Sequence, residues 1–200
     1  MTLPRVKPAE IALVEDSGLR VLRVKAEGAA AAAAHALDAD PLATPVLAWR
    51  WKVERALERA KWGVKAGDDY AARVYVTFDV PLGALPFFQA LKIRIARSVF
   101  GEDLPTAALC YVWAARAAPG TTGWNPYSDR VRMIVVESGN ARAGQWIEES
   151  RDVAADFRAA FGDFEPRVPR VNGVLVSTDT DQTGESATAW FGDLSLGARP

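Results

Sequence analysis

Three acidic residues and three threonines stand close together near the end of the chain, in the run Ser177-Thr178-Asp179-Thr180-Asp181-Gln182-Thr183-Gly184-Glu185. Calcium takes oxygen ligands from spaced carboxylates, hydroxyls and backbone carbonyls, so Asp179 and Asp181 are candidate calcium ligands. The ligand spacing and flanking helices of an EF-hand are missing. In the alternative interpretation, the Asp and Thr side chains hydrogen-bond the backbone of their own loop in Asx-type turns.

A second polar group precedes a predicted strand, in the run Lys65-Ala66-Gly67-Asp68-Asp69-Tyr70 with Arg73 beyond it. Gly67 permits a tight turn. Residues four apart on a strand share a face, so Asp69 and Arg73 lie on the same side. Asp68, Asp69 and Arg73 are therefore candidate ligand-binding residues. The alternative is a paired strand entrance, in which the arginine binds a carboxylate of the protein itself.

A third group contains Glu137, Glu149 and Arg151. Glycoside hydrolysis needs two carboxylates at a defined separation, which makes Glu137, Glu149 and Asp69 candidates for the catalytic acid and base. Arg151 is a candidate ligand-binding residue beside them. The sequence does not give the separation of the carboxylates, and a salt-bridged sheet face is the ordinary alternative.

Aromatic residues are the remaining candidates for ligand contacts, because sugars stack on exposed rings. Among the seven tryptophans, Trp124 lies in a predicted loop and is the candidate for an exposed platform. Asn125 follows it and is a candidate ligand-binding residue. The alternative is that Trp124 folds back over the edge of the core. Alternation predicts that Trp49 and Trp51 belong to the core.

The single histidine and the single cysteine restrict other chemistry. His35 has no acidic or thiol neighbour in sequence, and a catalytic triad or a histidine-rich metal site would depend on it alone. We therefore expect His35 to be structural. Cys110 lies on a predicted strand and is expected to be buried, and one cysteine allows no intrachain disulfide.

Period-two alternation predicts the strands that must position these groups. From Tyr70 to Val80 one face is apolar and the other mixed, which is typical of a half-buried strand. Other strands are predicted from composition and alternation. They lie at Ile11–Val14, Leu19–Ala26, Ala29–Ala34, Leu47–Val53, Ala108–Ala114, Val131–Glu137, Val171–Thr178 and Thr188–Leu196.

Helices are predicted at Leu82–Phe100, from apolar residues spaced three and four apart, and from Asp152 as N-cap through Phe161. A third, short helix is predicted at Glu54–Lys61. Many strands, few helices and no βαβ rhythm predict a mainly β fold, an antiparallel two-sheet β-sandwich of jelly-roll type. We expect residues 1–200 to form one domain.

Composition excludes several classes of partner. The chain carries 24 basic and 25 acidic residues, so its net charge of −1 gives no attraction to nucleic acid. Half of the residues are apolar, enough for a large core. No window approaches the roughly 18 apolar residues of a membrane helix, and the N-terminus does not resemble a signal peptide. We expect a cytoplasmic protein as the chain stands, or a periplasmic or secreted one if a leader was removed.

These motifs together resemble the bacterial proteins grouped as domain-of-unknown-function family 3047. The resemblance implies a jelly-roll sandwich like that of carbohydrate-binding modules, and it implies no activity, substrate or cofactor. Cys110 and Gln182 depart from the family pattern, in which Asn is commoner at both positions. The matching residues are Trp49–Val53, Lys65–Val76, Tyr111–Trp113, Asn125, Pro126, Val136–Gly139, Trp146, Glu149, Arg151, Asp152, Ser177–Asp181, Thr183–Glu185 and Trp190–Leu194.

Three functions remain open from the sequence alone. The first is a non-catalytic binding module for a saccharide or another polar ligand, with or without calcium. The second is a polysaccharide hydrolase or lyase that uses a carboxylate pair. The third is a structural or protein-interaction domain in which the polar motifs only stabilise the fold. The sequence gives neither the ligand nor the oligomeric state.

Overall fold

Strands account for most of the described chain. The computed structural model describes residues 6–80, 106–163, 165 and 167–199. In chain order the strands are β1 (Glu10–Asp16), β2 (Leu19–Glu27), β3 (Ala30–Ala39), β4 (Val46–Val53), β5 (Tyr70–Phe78), β6 (Ala107–Ala114), β7 (Thr122–Asn125), β8 (Ser128–Ser138), β9 (Ile147–Asp152), β10 (Val171–Asp179) and β11 (Ser186–Gly197).

The strands form two sheets, and the chain passes back and forth between them. The five-stranded sheet has the order β1-β2-β11-β4-β9, and each neighbouring pair is antiparallel. The six-stranded sheet has the order β3-β10-β5-β6-β8-β7. In it β6 and β8 pair in parallel, because β8 inserts between β6 and the edge strand β7. The predicted two-sheet sandwich is confirmed, with one sheet mixed rather than purely antiparallel.

The predicted strands are all present, including the alanine-rich segment that forms β3. Two strands were not predicted. The strand β7 lies inside a predicted loop and contains Gly123 and Asn125, residue types that are depleted in strands. The strand β9 is largely charged and shows no alternation. Both are edge strands, where polar residues are common because they discourage unwanted pairing.

One of the three predicted helices is confirmed. The helix α1 (Val153–Phe161) begins after Asp152, whose Oδ1 accepts a hydrogen bond of 2.8 Å from the backbone N–H of Ala155. Its inner face is apolar, and Phe157 packs on Phe78 of β5 with ring centroids 4.6 Å apart. The helix predicted at Leu82–Phe100 lies outside the described residues.

The prediction of a helix at Glu54–Lys61 is wrong, because the backbone donors of this segment are taken by distant side chains. The carboxylate of Glu185 accepts hydrogen bonds from the backbone N–H groups of Glu58 and Arg59, at 3.0 and 2.9 Å. The amide oxygen of Asn140 accepts one from Ala56 at 2.7 Å. These bonds replace the local carbonyl acceptors that a helix would use.

An aromatic row joins the two sheets and confirms the predicted core positions. Trp49 and Trp51 of β4 meet edge to face with centroids 5.6 Å apart. Trp49 stacks on Tyr111 of β6 at 5.3 Å, and Trp51 contacts Trp113 at 5.7 Å. Because β4 and β6 belong to different sheets, these four rings fix how the sheets pack on one another.

The prediction that β5 is half-buried is wrong, because both of its faces are covered. Its mixed face is buried at Arg73 and Thr77, which are 4% and 6% exposed. A second, smaller apolar cluster lies on that side of the six-stranded sheet and includes Tyr70, Cys110 and Met133. Burial raises the pKa of the Cys110 thiol to about 12. The polar side chains of β5 therefore stand in a nonpolar environment and must find partners there.

Candidate functional site

Asp69 holds the acidic loop that follows β10. Its side chain is fully buried, and its two carboxylate oxygens accept backbone hydrogen bonds from Gln182 at 3.3 Å and from Thr183 at 2.6 Å. In the same loop the hydroxyl of Thr180 accepts a hydrogen bond of 3.1 Å from the backbone of Ala29. These contacts come from residues outside the loop, whereas the alternative interpretation predicts turns within it; a bond of that local kind joins the Glu185 N–H to the Thr183 hydroxyl at 3.4 Å.

Arg73 is buried at the centre of the polar residues, and each of its nitrogen atoms has a partner. Its Nε donates to Asp179 Oδ1 at 3.1 Å, and its Nη1 donates to the Tyr75 hydroxyl at 3.0 Å. Its Nη2 donates to Asp179 Oδ2 and to the backbone oxygen of Asp68. The guanidinium also lies 4.5 Å from the centroid of the Tyr70 ring. Planar, two-pronged binding of this kind is specific to arginine.

Gly67 explains why the turn before β5 needs a glycine. A Cβ atom built at this position would lie 2.8 Å from the backbone nitrogen of Lys61, closer than such atoms approach. The Lys61 backbone N–H donates to Gly67 O at 2.9 Å, so the two chain segments run in direct contact. This contact sets Asp68 and Asp69 at the entrance of β5.

Asp68 has one satisfied and one unsatisfied oxygen. Its Oδ2 accepts a hydrogen bond of 2.9 Å from Asn125 and lies 3.7 Å from Arg73 Nη1. Its Oδ1 is buried and has no hydrogen-bond partner among the described residues. Burial raises the pKa of Asp68, against the opposing effects of Arg73 and Asn125. The raised pKa reflects the cost of burying this charge with one oxygen unpaired.

The structure therefore brings six of the candidate residues into one group, which we call the Arg73 cluster. Burial raises the pKa of Asp179 to about 7, with Arg73 opposing the shift and Asp69 adding to it. Four carboxyl groups thus surround one arginine. The cluster consists of Asp68, Asp69, Arg73, Asn125, Asp179 and Asp181.

Within this cluster Asp69, Asp179 and Asp181 have oxygen atoms within 4.8 Å of one another, which is close enough to share a cation. However, both oxygens of Asp179 face Arg73, and both oxygens of Asp69 face backbone N–H groups. The donor set thus fits the arginine already present, and a calcium ion would compete with it. Calcium at Asp179 and Asp181 stays a prediction.

Glu137 of β8 and Glu149 of β9 belong to different sheets and are close enough for their charges to interact. Glu137 accepts hydrogen bonds from Ser138 N at 2.9 Å and from Arg142 Nη1 at 2.7 Å. Burial and the neighbouring charge of Glu137 raise the pKa of Glu149 to about 7. The indole N–H of Trp51 opposes this shift, although it makes no hydrogen bond of ordinary geometry to the residues that the structure describes. The pair therefore combines one carboxylate fixed by hydrogen bonds with one that holds a proton near neutral pH.

Arg151 lies outside the Arg73 cluster and is half-buried, with a partner of its own. Its Nε and Nη2 donate to the two carboxylate oxygens of Asp156, at 3.0 and 2.6 Å, and the Tyr111 hydroxyl donates to the same carboxylate at 2.8 Å. These bonds connect β9 to α1 and to the aromatic row. Its predicted role in ligand binding stays a prediction.

Trp124 does not stand free in a loop. It lies on β7, is half-buried, and packs on Phe161 with ring centroids 5.5 Å apart. The exposed ring in this part of the chain is that of Tyr127, which is 58% exposed and donates its hydroxyl to Lys65 O at 2.9 Å. Trp124 therefore takes the alternative position over the core edge, and its ligand contact stays a prediction.

An open cleft of about 810 Å³ lies beside the Arg73 cluster. We call it the Trp62 cleft. Tyr70 lies in its wall, is 3% exposed, and has a buried hydroxyl without a hydrogen-bond partner in the described residues. Trp62 is half-buried and meets Tyr70 edge to face at 6.3 Å. Other side chains of the lining are Glu58, Arg59, Lys61, Arg116, Gln182 and Thr183.

Sequence reasoning missed this cleft because its lining comes from segments that show no periodicity. The signal that was available is the run Arg59-Ala60-Lys61-Trp62-Gly63, in which a tryptophan stands in a polar segment without a strand pattern. Neither Glu137 nor Glu149 lines the Trp62 cleft, nor do they line an apolar groove of about 350 Å³ near Phe191.

Comparison with known proteins gives one family. The model of the family described as "Protein of unknown function (DUF3047)" matches residues 1–195. No curated protein matches the chain. Among solved structures, a family 12 xyloglucanase from Bacillus licheniformis in complex with ligand is similar at a TM-score of 0.48 and 6% identity, over 96% of this chain and 98% of that one. Across the described ranges, no helix has the length and apolar character needed to span a membrane.

We expect Arg73→Met to lower the free energy of unfolding by about 3–5 kcal/mol, because it leaves Asp179 buried without its partner. Arg170→Met is the matched control, since Arg170 and its partner Asp38 are 54% and 77% exposed and solvent screens the pair. Urea denaturation measures both variants. Equal losses for the two variants would show that the Arg73 cluster does not stabilise the fold.

We expect the protein to become less stable as pH rises from about 5 to 8. Glu149 has a pKa of about 7 in the folded state, against about 4.3 in unfolded chains. The folded state therefore binds more protons across this interval, and its advantage is lost as pH rises through 7. Glu149→Gln should flatten the profile, and Glu148→Gln on the exposed neighbour should not.

Carboxyl groups with a lowered pKa, such as Asp16 and Asp152, make the free energy of unfolding rise with pH instead of fall. Their contribution is lost only as pH falls below about 4, outside the measured interval. A stability that rises between pH 5 and 8 would contradict the raised pKa of Glu149. Repeating the measurement with calcium tests the cation prediction, because an ion bound only by the folded state raises the free energy of unfolding.

Proposed function

We propose that this chain, which belongs to the DUF3047 family, is a non-catalytic binding module for a saccharide or another polar ligand held in the Trp62 cleft. The observation that carries the proposal is the Tyr70 hydroxyl, which is buried in the cleft wall and has no partner among the described residues. A buried polar group without a partner is costly, and a ligand that hydrogen-bonds it removes that cost.

The dimensions of the cleft support this proposal. Sites for small molecules measure about 300–1,000 Å³ and combine apolar walls with a few polar groups. The Trp62 cleft, at about 810 Å³, lies in this range. Gly123 has no side chain, and a Cβ there would lie 3.3 Å from the Trp62 ring, so the ring can rest against β7. The Trp62 ring and the polar side chains of Gln182 and Thr183 in the lining provide the two kinds of contact that a sugar uses.

The walls of the cleft are fixed before any ligand binds. Glu185 holds the backbone of Glu58 and Arg59, and Asp69 holds Gln182 and Thr183. A site whose walls are already ordered loses little conformational entropy on binding. The Arg73 cluster, on this proposal, positions the binding residues and does not itself contact the ligand.

We expect Tyr70→Phe to weaken ligand binding about fivefold to tenfold while leaving the melting temperature unchanged or higher. The phenylalanine removes an unsatisfied buried hydroxyl, which costs about 1–3 kcal/mol in the folded state. Trp62→Ala should abolish detectable binding. Binding is measured by calorimetry against a panel of soluble oligosaccharides.

Trp146→Ala is the matched control, because Trp146 is a half-buried tryptophan that contacts Arg50 and Lys52 of the other sheet. It should bind like the original protein. Loss of binding in Trp146→Ala equal to that in Trp62→Ala, with both proteins folded, would place the ligand elsewhere. A panel with no binder at millimolar concentration would reject the binding function itself.

A second candidate function is that of a polysaccharide hydrolase or lyase in which Glu137 and Glu149 are the carboxylate pair. The observation in its favour is that Glu149 has a raised pKa of about 7 beside a carboxylate fixed by Arg142, since such division of roles is typical of an acid and base pair. Asp69 is a weaker partner because both of its oxygens accept backbone hydrogen bonds.

If this pair is catalytic, reducing-end release from a polysaccharide panel should fall at least a hundredfold in Glu149→Gln and stay constant in Glu148→Gln. The rate of the original protein should decline as pH rises above about 7, because Glu149 then loses the proton of a general acid. Absence of any release by the original protein, under conditions in which an oligosaccharide binds, would exclude this function and retain the binding module.

A further inference from the structure

We infer that the ligand of the Trp62 cleft is an acidic saccharide, which carries carboxylate or sulfate groups along a short chain of sugar rings. The inference rests on the proposed binding function and adds the class of ligand. Three cationic side chains, Arg59, Lys61 and Arg116, and one carboxylate, Glu58, are among the lining residues. The chain as a whole has a net charge of −1, so this local excess of positive charge does not follow from composition.

The three cations also lack partners among the described residues. None of them forms an ion pair or a side-chain hydrogen bond with any part of the chain that the structure describes. Some cations elsewhere in the described chain are paired, as Lys52 is with Asp16 and Arg142 is with Glu137. The cations of the cleft therefore remain available to an anionic ligand.

The cations reach the cleft from two separate parts of the chain. Arg59 and Lys61 stand in the irregular segment after β4, whose backbone is held by Glu185 and Gly67. Arg116 follows β6 in the other sheet. A ligand that bridges the two segments must present negative charge at more than one point, as an acidic oligosaccharide does. Trp62 lies in the same lining and can contact a sugar ring between those charges.

The surroundings of the cleft favour a short ligand over an extended polyanion. Beyond Gln182 and Thr183 lies the Arg73 cluster with Asp181, which is half-buried and carries a negative charge when ionised. A nucleic acid strand continuing in that direction would meet carboxyl groups, and its affinity would fall. A few sugar rings fill a space of about 810 Å³ without reaching them.

We expect the positive charge of the cleft to affect mainly its preference for acidic over neutral ligands. All three cations are solvent-exposed, so each contact with an anionic group is screened by salt. An exposed pair of this kind contributes about twofold to fivefold in affinity. Three together should give an acidic ligand an advantage of about tenfold or more over a neutral one of equal length at low ionic strength.

The experiment compares a hexamer of galacturonic acid with a hexamer of glucose, by calorimetry in EDTA at 50 and 500 mM salt. We expect the acidic hexamer to bind at least tenfold more tightly at 50 mM, with most of that advantage lost at 500 mM. Arg116→Glu should weaken binding of the acidic hexamer about tenfold and leave binding of the neutral hexamer unchanged. Arg20→Glu makes the same change of net charge on β2, outside the cleft lining, and should leave both affinities unchanged.

The possible outcomes separate this inference from the proposed function. If the glucose hexamer binds as tightly as the acidic one, and Trp62→Ala abolishes both, the inference is overturned and the binding module stands. If neither hexamer nor any other oligosaccharide binds, both are overturned. If only oligothymidylate binds, with loss in Arg116→Glu, the cleft recognises a different polyanion and the inference is again overturned.

Discussion

The buried guanidinium group of Arg73 determines how the polar residues around it are arranged. Arg73 projects from a strand that is covered on both faces, so its charge cannot be solvated and must be met by the protein. Asp179 and the carbonyl of Asp68 meet it directly, which brings β10 and the turn before β5 to fixed positions. Asp69 then fastens the loop after β10, and that loop forms one wall of the Trp62 cleft. The position of this wall of the Trp62 cleft therefore depends on the Arg73 ion pair, although Arg73 does not line the cleft.

The space between the sheets and the ends of the sandwich are stabilised by different interactions. Between the sheets, the four rings of Trp49, Trp51, Tyr111 and Trp113 provide contact area without directional bonds. At the ends, ion pairs and side-chain-to-backbone hydrogen bonds fix irregular segments that do not pair with a β-strand. This division explains why the segment after β4 is ordered although it forms neither helix nor strand. Its backbone donors are satisfied by Glu185 and Asn140, which arrive from other parts of the chain.

Local pattern was sufficient for the interior strands and insufficient for the edges and the cleft. Alternation identified β4 and β5 because a strand that packs on a core must place apolar residues at every second position. It failed for β7 and β9, because their side chains face solvent or contact single partners and so need not alternate. The acidic motifs were recognised as polar groups, and their convergence on Arg73 follows from the pairing of β5 with β10, which no spacing in the sequence reveals. The Trp62 cleft combines residues from three distant segments for the same reason, and its one unsatisfied hydroxyl becomes visible only when neighbours are known.

The burial of Cys110 has a practical consequence for work on this protein. The chain has no other cysteine, and a thiol with a pKa of about 12 in a closed apolar cluster supplies almost no thiolate at neutral pH. Maleimide and iodoacetamide reagents should therefore leave the folded protein untouched without any prior removal of cysteine. A single cysteine introduced at an exposed position beside the cleft would then be the sole labelling point, so that a fluorophore or spin label could report ligand entry on the otherwise natural sequence.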